Sequence, residues 1–327
     1  MQTEKERSDL QFGINIRRLD PNDLSQLTDL QNRYALRYPG STVLQGNTYR
    51  LPRFSKVEDF FGVFDETRNL IGYVALHPML VFDGPANLSH VLWADLKVDP
   101  GCENLQAMFD VMLDYLIKTA RNLVNRFPPR STQMVFQKFP IEVEIIQHLH
   151  QRGFVHTESI FQMSRRLNAP IQPMLAPPGM QSVPWRMHTV EEQRKYLQGR
   201  NQAFPEAAIT LEDWRCFMRS AFWETGICLA ILDGDELAGS ILLYWDEEQN
   251  RLNDKLVGFT EYIFVLPRWR GLGLGSFLVT QGLLYLKKHG LAEAQLEVKA
   301  ADIGALGLYS RLGYQVIRES WFMENTL

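Results

Sequence analysis

The sequence has few cysteines and no long apolar run. Its 327 residues include three cysteines, Cys102, Cys216 and Cys228, which are odd in number and far apart. Neither a disulfide framework nor a cysteine-based metal site is indicated, and we expect no metal. No segment approaches the roughly 18 apolar residues of a membrane span, and the first ten residues lack the apolar core of a signal peptide. We therefore expect a cytoplasmic protein that does not enter a membrane.

An excess of positive charge is also missing. The formal net charge is −4 at pH 7, which argues against a nucleic acid held by bulk electrostatics. The length is comfortable for two domains, each large enough to bury a core. These properties indicate a globular protein whose partners are other than nucleic acid.

A proline-rich segment divides the chain almost in half. Residues 168–180 carry four prolines, which forbid a regular helix and favour an extended connector. We therefore predict a first domain over residues 1–168, a linker over 169–180 and a second domain over 181–327.

The two halves show the same order of patterns. Each opens with a short strand that contains arginine, over residues 14–18 and 183–187. Each continues with a β-hairpin pattern around a charged turn, over 60–65 with 70–77 and over 227–232 with 236–244. Gly72 and Gly239 lie at equivalent points of these hairpins. The sequence therefore predicts a tandem repeat.

A glycine-rich turn in the second half joins an apolar strand pattern to an apolar helix pattern. It contains, in order, Arg268, Arg270, Gly271, Gly273 and Gly275. Glycines let several backbone N–H groups converge on an anion, and the following helix adds the positive end of its dipole. The spacing fits neither a P-loop nor a dinucleotide fingerprint. We predict a phosphate-binding loop of another kind.

Two motifs resemble the GNAT superfamily of N-acetyltransferases. The first is the acyl-coenzyme A loop, seen here in Val265, Pro267, Arg270, Gly271, Gly273 and Gly275. The second follows about 30 residues later, and comprises Val298, Asp302, Ala305, Leu308, Tyr309, Leu312, Gly313 and Tyr314. The resemblance implies an α/β fold with a mixed sheet and flanking helices, repeated as two tandem GNAT-like domains. It implies acetyl-CoA as acyl donor, bound by Val265, Leu266, Arg268, Arg270, Gly271, Leu272, Gly273, Leu274, Gly275, Ser276, Asp302 and Tyr309.

The resemblance also implies catalytic roles. Acetyl transfer to an amine needs a base for the amine, an acid for the departing thiolate and a dipole for the thioester carbonyl. By analogy the dipole is a backbone N–H in the region 264–266, for which Leu266 is the first choice, while Tyr309 is the acid and Glu261 is the base. Glu224 and Asp246 remain alternatives for the base.

Asp302 departs from the family pattern, which usually has asparagine there. Aspartate keeps the acceptor oxygen, loses the amide donor and is well suited to cap the following helix. The resemblance thus implies an N-acetyltransferase that moves acetyl to a primary amine of a small molecule or peptide, by direct attack in a ternary complex. A non-catalytic acyl-CoA sensor or a scaffold protein remains the alternative, and a homodimer remains open.

The first half has lost the corresponding residues. Aligning the prolines that end the two central strands places Glu103, Gln106 and Met108 where the second half has Arg270, Gly273 and Gly275. A second alignment, on Gly153 and Gly313, places Leu149 at the position of Tyr309. Because the loop lacks its glycines and carries a negative charge, we predict a non-catalytic first domain.

Aromatic residues concentrate between the first helices of the second half, at Phe204, Trp214, Phe217, Phe222 and Trp223. In the family, this segment lines the acceptor side of the cleft. Trp214 and Phe217 also fit a helical stripe of the kind that usually packs in a core. Both interpretations stay open from the sequence.

Overall fold

A computed structural model describes residues 13–41, 60–79, 89–127, 129–205, 208–219 and 221–327. The first ten residues, on which the absence of a signal peptide was argued, lie outside these ranges. The chain forms two compact units, with unit 1 comprising Met1–Ser159 and Ser320–Leu327 and unit 2 comprising Ile160–Glu319.

The two halves of the chain contain closely similar series of strands and helices. The first half forms β1 (Asn15–Arg18), α1 (Leu24–Arg37), β2 (Phe60–Phe64), β3 (Leu70–Met79), β4 (His90–Val98), α2 (Leu105–Val124), β5 (Thr132–Lys138), α3 (Val143–Gln151) and β6 (Val155–Arg166). The second forms β7 (Met180–Trp185), α4 (Val190–Ala203), α5 (Leu211–Met218), α6 (Ala221–Thr225), β8 (Ile227–Asp233), β9 (Glu236–Tyr244), α7 (Glu247–Leu252), β10 (Val257–Val265), α8 (Leu274–Lys288), β11 (Glu293–Lys299), α9 (Ile303–Arg311) and β12 (Gln315–Thr326). The predicted repeat and the predicted mixed α/β fold are both present.

Each unit contains a mixed sheet. In unit 1 the strand order is β1, β2, β3, β4, β5 and the end of β12, and in unit 2 it is the end of β6, then β11, β10, β9, β8 and β7. The pairs β4 with β5 and β10 with β11 are parallel, whereas both hairpins are antiparallel. Both hairpins that the sequence predicted are therefore confirmed.

The two hairpin glycines occupy matching positions. Gly72 pairs with Val98 at the end of β4, and Gly239 pairs with Val265 at the end of β10. A Cβ atom on Gly72 would lie 3.0 Å from the carbonyl oxygen of Lys97, and one on Gly239 would lie 2.6 Å from that of Phe264. Glycine at both positions thus lets the hairpin strand approach the central strand closely.

Helix α8 is fixed by its buried face. Its side chains Leu274, Phe277, Leu278, Leu283 and Leu286 are almost fully buried in the core of unit 2. Burial of each side chain of this size contributes about 1.5–3 kcal/mol. The core therefore holds the helix, and with it the loop at its N-terminus, in a defined place on the sheet.

The boundaries of the compact units differ from the predicted ranges. The chain passes into unit 2 at Ile160, within β6, and out of it after Glu319, within β12. Residues 167–179 form neither helix nor strand, in keeping with a connector, but they lie inside unit 2. Pairing between strands that are far apart in the sequence sets this division. The amino-acid composition does not indicate where it falls. In the described ranges, no helix combines the length and apolar character that crossing a bilayer requires.

Candidate active site

The glycine-rich loop connects β10 to α8. A short 3-10 helix, Pro267–Trp269, follows β10, and α8 begins at Leu274 with Gly273 as its N-cap. Gly273 has no side chain that could cap the helix, and the first turn contains no acidic residue. The positive end of the helix dipole therefore faces the loop without an internal counter-charge.

The backbone N–H groups of residues 271–276 are unoccupied within the described chain. Intramolecular bonds of the loop involve the N–H groups of its neighbours, Arg270 and Phe277, which donate to Pro267 and Gly273. Residues 271–273 are exposed. A run of free amides at a helix N-terminus is a site for an anion.

Two glycines of the loop have a left-handed backbone. Gly271 has φ of +81° and Gly273 has φ of +78°. A Cβ atom on either residue would meet no other atom within 4 Å, so packing does not require glycine there. The glycines serve the backbone conformation instead, which a side chain would strain by about 1–2 kcal/mol.

The two loop arginines are used differently. The Nε of Arg270 donates to the carbonyl oxygen of Val265 at 3.0 Å, which holds the exposed guanidinium beside the loop. Arg268 forms an exposed ion pair with Glu236 at 2.5 Å. Of the two charges expected to face a phosphate, Arg270 is thus the one without a carboxylate partner among the described residues.

Strands β10 and β11 separate as they approach the loop. Their parallel ladder joins residues 257–259 to residues 293–295 and, within the described strands, continues no further. The pairing of β10 with β9 shifts between Glu261 and Phe264, and Tyr262 has φ of +45°. This bulge bends β10, so that a slot opens between the carboxyl ends of β10 and β11.

The N–H of Leu266, the first choice for polarising the thioester, is not free for that role. The N–H of Leu266 donates to the carbonyl oxygen of Ala238 at 2.9 Å, so it is consumed by the sheet. Along an antiparallel pair, bonded and non-bonded positions alternate. Val265, opposite Gly239, is therefore a non-bonded position, and its N–H points away from β9 toward the slot.

Tyr309 lies in α9, which packs beside the loop. Leu308, its neighbour, reaches within 3.3 Å of the place that a Cβ atom on Gly275 would occupy. The Tyr309 side chain is largely buried, and its hydroxyl has no hydrogen-bond partner among the described residues. Burial, with a smaller effect of the Asp302 carboxylate, raises the pKa of Tyr309 to about 12. The phenol therefore keeps its proton at neutral pH.

Asp302 is the N-cap of α9. Its Oδ1 accepts a hydrogen bond from the N–H of Ala305 at 2.9 Å. This is the cap that the departure from asparagine suggested. The carboxylate is thereby committed to the helix, and the residue is exposed.

Thr260 lies on the face of the sheet that α8 covers. Glu261, the next residue of β10, therefore lies on the opposite face. The hydroxyl of Tyr244 donates to Oε1 of Glu261 at 2.9 Å. The sequence did not single out Tyr244, because only the register of β9 on β10 brings the two residues together. Of the alternative bases, Asp246 caps α7 through the N–H of Gln249, and Glu224 is exposed in α6.

The aromatic residues of this segment differ in burial. Trp214 is 1 % exposed and belongs to the core, as the helical stripe predicted. Phe217, Phe222 and Trp223 are partly exposed, and Phe222 packs against Tyr244 with ring centroids 5.4 Å apart. A partly open aromatic wall thus adjoins the Tyr244–Glu261 pair.

In the equivalent loop of unit 1, side chains bond two of the backbone amides. Asn104 caps α2 by accepting from the N–H of Ala107, and Asp99 accepts from the N–H of Gly101 at 2.9 Å. Asp99 also forms an ion pair with Arg33 at 2.7 Å. Side chains of unit 1 therefore occupy the positions at which an anion could bind.

The slot of unit 1 is filled as well. The ladder between β4 and β5 ends at Ala94 and Phe136, and the buried ammonium of Lys138 donates to the carbonyl oxygen of Leu96 at 3.2 Å beyond that point. Asp95 lies 3.5 Å from this ammonium and Glu142 lies 3.8 Å from it. A buried charge network thus replaces the open space of unit 2.

The hydroxyls of two tyrosines complete this network. Tyr73 donates to Asp95 at 2.5 Å, and Tyr34 donates to Glu142. Burial would raise the pKa of Asp95, but the ammonium groups of Lys97 and Lys138 and the Tyr73 hydroxyl lower it to about 2.

Comparison with known proteins finds a family and relatives that resemble the second half of the chain. The family model described as "Acetyltransferase (GNAT) family" matches residues 189–314. The mycothiol acetyltransferase of Acidothermus cellulolyticus is 30% identical over 173 residues, which are 50% of this chain and 53% of that protein. The chain thus spans about half the length of the curated relatives it matches.

Solved structures share the fold over nearly the whole chain. A GCN5-related N-acetyltransferase from Sphaerobacter thermophilus matches with a TM-score of 0.76 at 15% identity, covering 96% of this chain and 95% of that one. A tandem GNAT protein from the clavulanic acid biosynthesis pathway matches with a TM-score of 0.74 at 14% identity, covering 96% and 98%. With the loop, the slot and the family match in the same unit, residues 189–314 are a domain of the acetyltransferase (GNAT) family.

Proposed function

We propose that unit 2 transfers an acetyl group from acetyl-CoA to a primary amine of a small molecule or peptide, by direct attack in a ternary complex. The observation that carries this proposal is the run of unpartnered amides over residues 271–276, at the start of α8 and beside the separated strands. This arrangement matches a ligand that joins a diphosphate to an extended arm.

The residues present fit acetyl-CoA. The free amides and the Arg270 guanidinium would hold the diphosphate, and the slot between β10 and β11 would take the arm. Open space beside Gly271 and Gly273 leaves the amides accessible from solvent. Asp302 serves the helix rather than the ligand, so binding does not depend on it.

We assign roles in the transfer to three groups of unit 2. Acetyl-CoA, when bound, supplies the acetyl group as a thioester. The N–H of Val265 donates into the slot, where it stabilises negative charge on a carbonyl oxygen. Glu261, held by Tyr244, takes a proton from the amine. The protonated phenol of Tyr309 donates to the departing thiolate.

The acceptor side is the aromatic wall beside Glu261. The curated relatives that match half of this chain carry the name mycothiol acetyltransferase, at about 30% identity or less. That resemblance supports acetyl transfer, and it leaves the acceptor to experiment. The alternative is a non-catalytic sensor of acyl-CoA, which needs the loop and the slot alone.

The decisive experiment measures acetyl-CoA binding by calorimetry and CoA release with a panel of aminoglycosides, polyamines, amino acids and peptides. We expect binding, and release with at least one amine. The variant Arg270→Glu with Gly273→Val should bind no acetyl-CoA, and unchanged affinity would reject the loop as the binding site. Binding without release by any amine favours the sensor. Because Cys216 is exposed, thiol detection needs a blank without amine.

Unit 1 is proposed to be non-catalytic. Two of its loop amides, those of Gly101 and Ala107, bond Asp99 and Asn104, and its slot holds the Lys138 network. Leu149, at the position of Tyr309, is fully buried in the apolar core. A second site of acetyl transfer therefore lacks the space and the acid.

A further inference from the structure

A pocket in unit 2 lies away from the glycine-rich loop. Its volume is about 730 Å³, and its walls come from β6, α8, α9, β12 and the segment that follows β6. Thr280 in α8 lines it, about 9 Å along the helix axis from Leu274 at 1.5 Å per residue. Arg311 lines it from the last turn of α9, the opposite end of that helix from Asp302.

Three arginines line this pocket, namely Arg165, Arg166 and Arg311. Arg165 is 8 % exposed, and its terminal nitrogens donate to the carbonyl oxygens of Leu312 and Pro170. It therefore joins the end of α9 to the connector segment while keeping its full charge. Burial lowers the pKa of Arg165, and no carboxylate is among the causes that offset it.

The other two arginines are exposed, and in the described chain their side chains form no ion pair or hydrogen bond. One carboxylate faces the pocket, that of Glu293, whose Oε2 accepts from Ser164 at 3.1 Å and from Gln295 at 3.4 Å. Three positive charges against one negative charge make the pocket strongly cationic, in a chain whose net charge is −4. The carbonyl end of α9 offsets about half a charge.

Apolar side chains form part of the same wall, at Ile171, Met174 and Ile317. A pocket that combines convergent guanidinium groups with apolar surface suits an organic anion rather than a bare ion. Arginine is suited to this task because its planar fork matches the oxygens of phosphate and carboxylate groups.

We propose that this pocket binds a small, multiply charged organic anion, through Arg166 and Arg311 with Arg165 at its base. The site is separate from the acetyl-CoA site, and its ligand carries phosphate or several carboxylates. The connector residues 169–174 then have a second role as a wall of the pocket.

The test uses the full chain with Arg270→Glu and Gly273→Val, the change expected to abolish anion binding at the loop, and two probes, pyrophosphate and citrate, in calorimetric titrations. We expect one probe or both to bind, and the further change of Arg166→Gln with Arg311→Gln to weaken binding at least tenfold. The probe that binds more tightly identifies phosphate or carboxylate as the preferred group.

Arg194→Gln is the matched control, since Arg194 is exposed in α4 and does not line the pocket. We expect this control to change affinity less than twofold. Equal affinity with and without the two pocket arginines would overturn the proposal, as would an equal loss in the Arg194 control or binding of neither probe. Because both pocket arginines are exposed, the melting temperature should stay unchanged and exclude misfolding as the cause.

Discussion

Two glycines with the same backbone allow the loop to be tested without a difference in strain. Gly273 has φ of +78° at the start of α8, and Gly290 has φ of +84° just after its end. A Cβ atom on either would meet nothing within 4 Å. Replacing each by alanine therefore adds similar backbone strain of about 1–2 kcal/mol and no steric clash.

The two variants should differ in ligand binding. For a unit of this size, each 1 kcal/mol lost at the transition lowers the melting temperature by about 2–4 °C. At Gly273, relief of the strain turns at least one amide away from the anion. A hydrogen bond to a charged group is worth about 1.5–3 kcal/mol, so acetyl-CoA should bind about ten- to a hundredfold more weakly.

The assay pairs thermal unfolding with calorimetric titration of acetyl-CoA. We expect both variants to lose stability alike, and Gly290→Ala to keep its affinity within twofold. If the two variants lost affinity equally, the free amides over residues 271–276 would not be the binding element, and the reasoning from φ and open space would fail.

Two further predictions concern single side chains. Tyr309→Phe should leave acetyl-CoA affinity within twofold and lower turnover by about ten- to a thousandfold, because the proton donor is lost while the ring is kept. Calorimetry measures the affinity, and steady-state kinetics measure the turnover. Lys138→Met should lower the free energy of unfolding in urea by about 3 kcal/mol, because Asp95 and Glu142 lose a buried partner, whereas exposed Lys118→Met should change it by less than about 0.5 kcal/mol. Since the folded-state pKa of Asp95 is about 2 against 3.8 unfolded, its stabilisation is complete above about pH 4 and falls as pH drops toward 2. Acid titration of unfolding should show a smaller loss across that range in the Lys138 variant.

Local chemistry made the loop and the hairpins predictable. Glycine at positions 271 and 273 and proline at 267 indicate a tight turn after the strand, and alternating apolar residues indicate the strands. The cap at Asp302 follows from the same kind of local rule, since the side chain bonds an amide three residues ahead.

Features that depend on long-range pairing were missed. The sequence does not show whether the amide of Leu266 or that of Val265 faces the slot. The answer depends on the bulge at Tyr262 and on the register of β9. The pairing of Tyr244 with Glu261 depends on the same register. The Lys138 network could not be predicted from the sequence for the same reason, because its members are far apart along the chain.

The end of β6 supports the strand that borders the proposed acetyl-CoA site. Strand β11 pairs with β10 only over residues 293–295 in the described strands, and its remaining residues are held by β6, with Leu296 opposite Met163 and Lys299 opposite Ile160. This part of β11 pairs with β6 instead of β10, beside the slot that the bulge in β10 opens. A fragment beginning at residue 181 would lack β6, leave an open sheet edge and lose the support that keeps the strands apart. Residues 160–166, which precede the proline-rich segment in the sequence, thus support one wall of the proposed acetyl-CoA site through strand pairing.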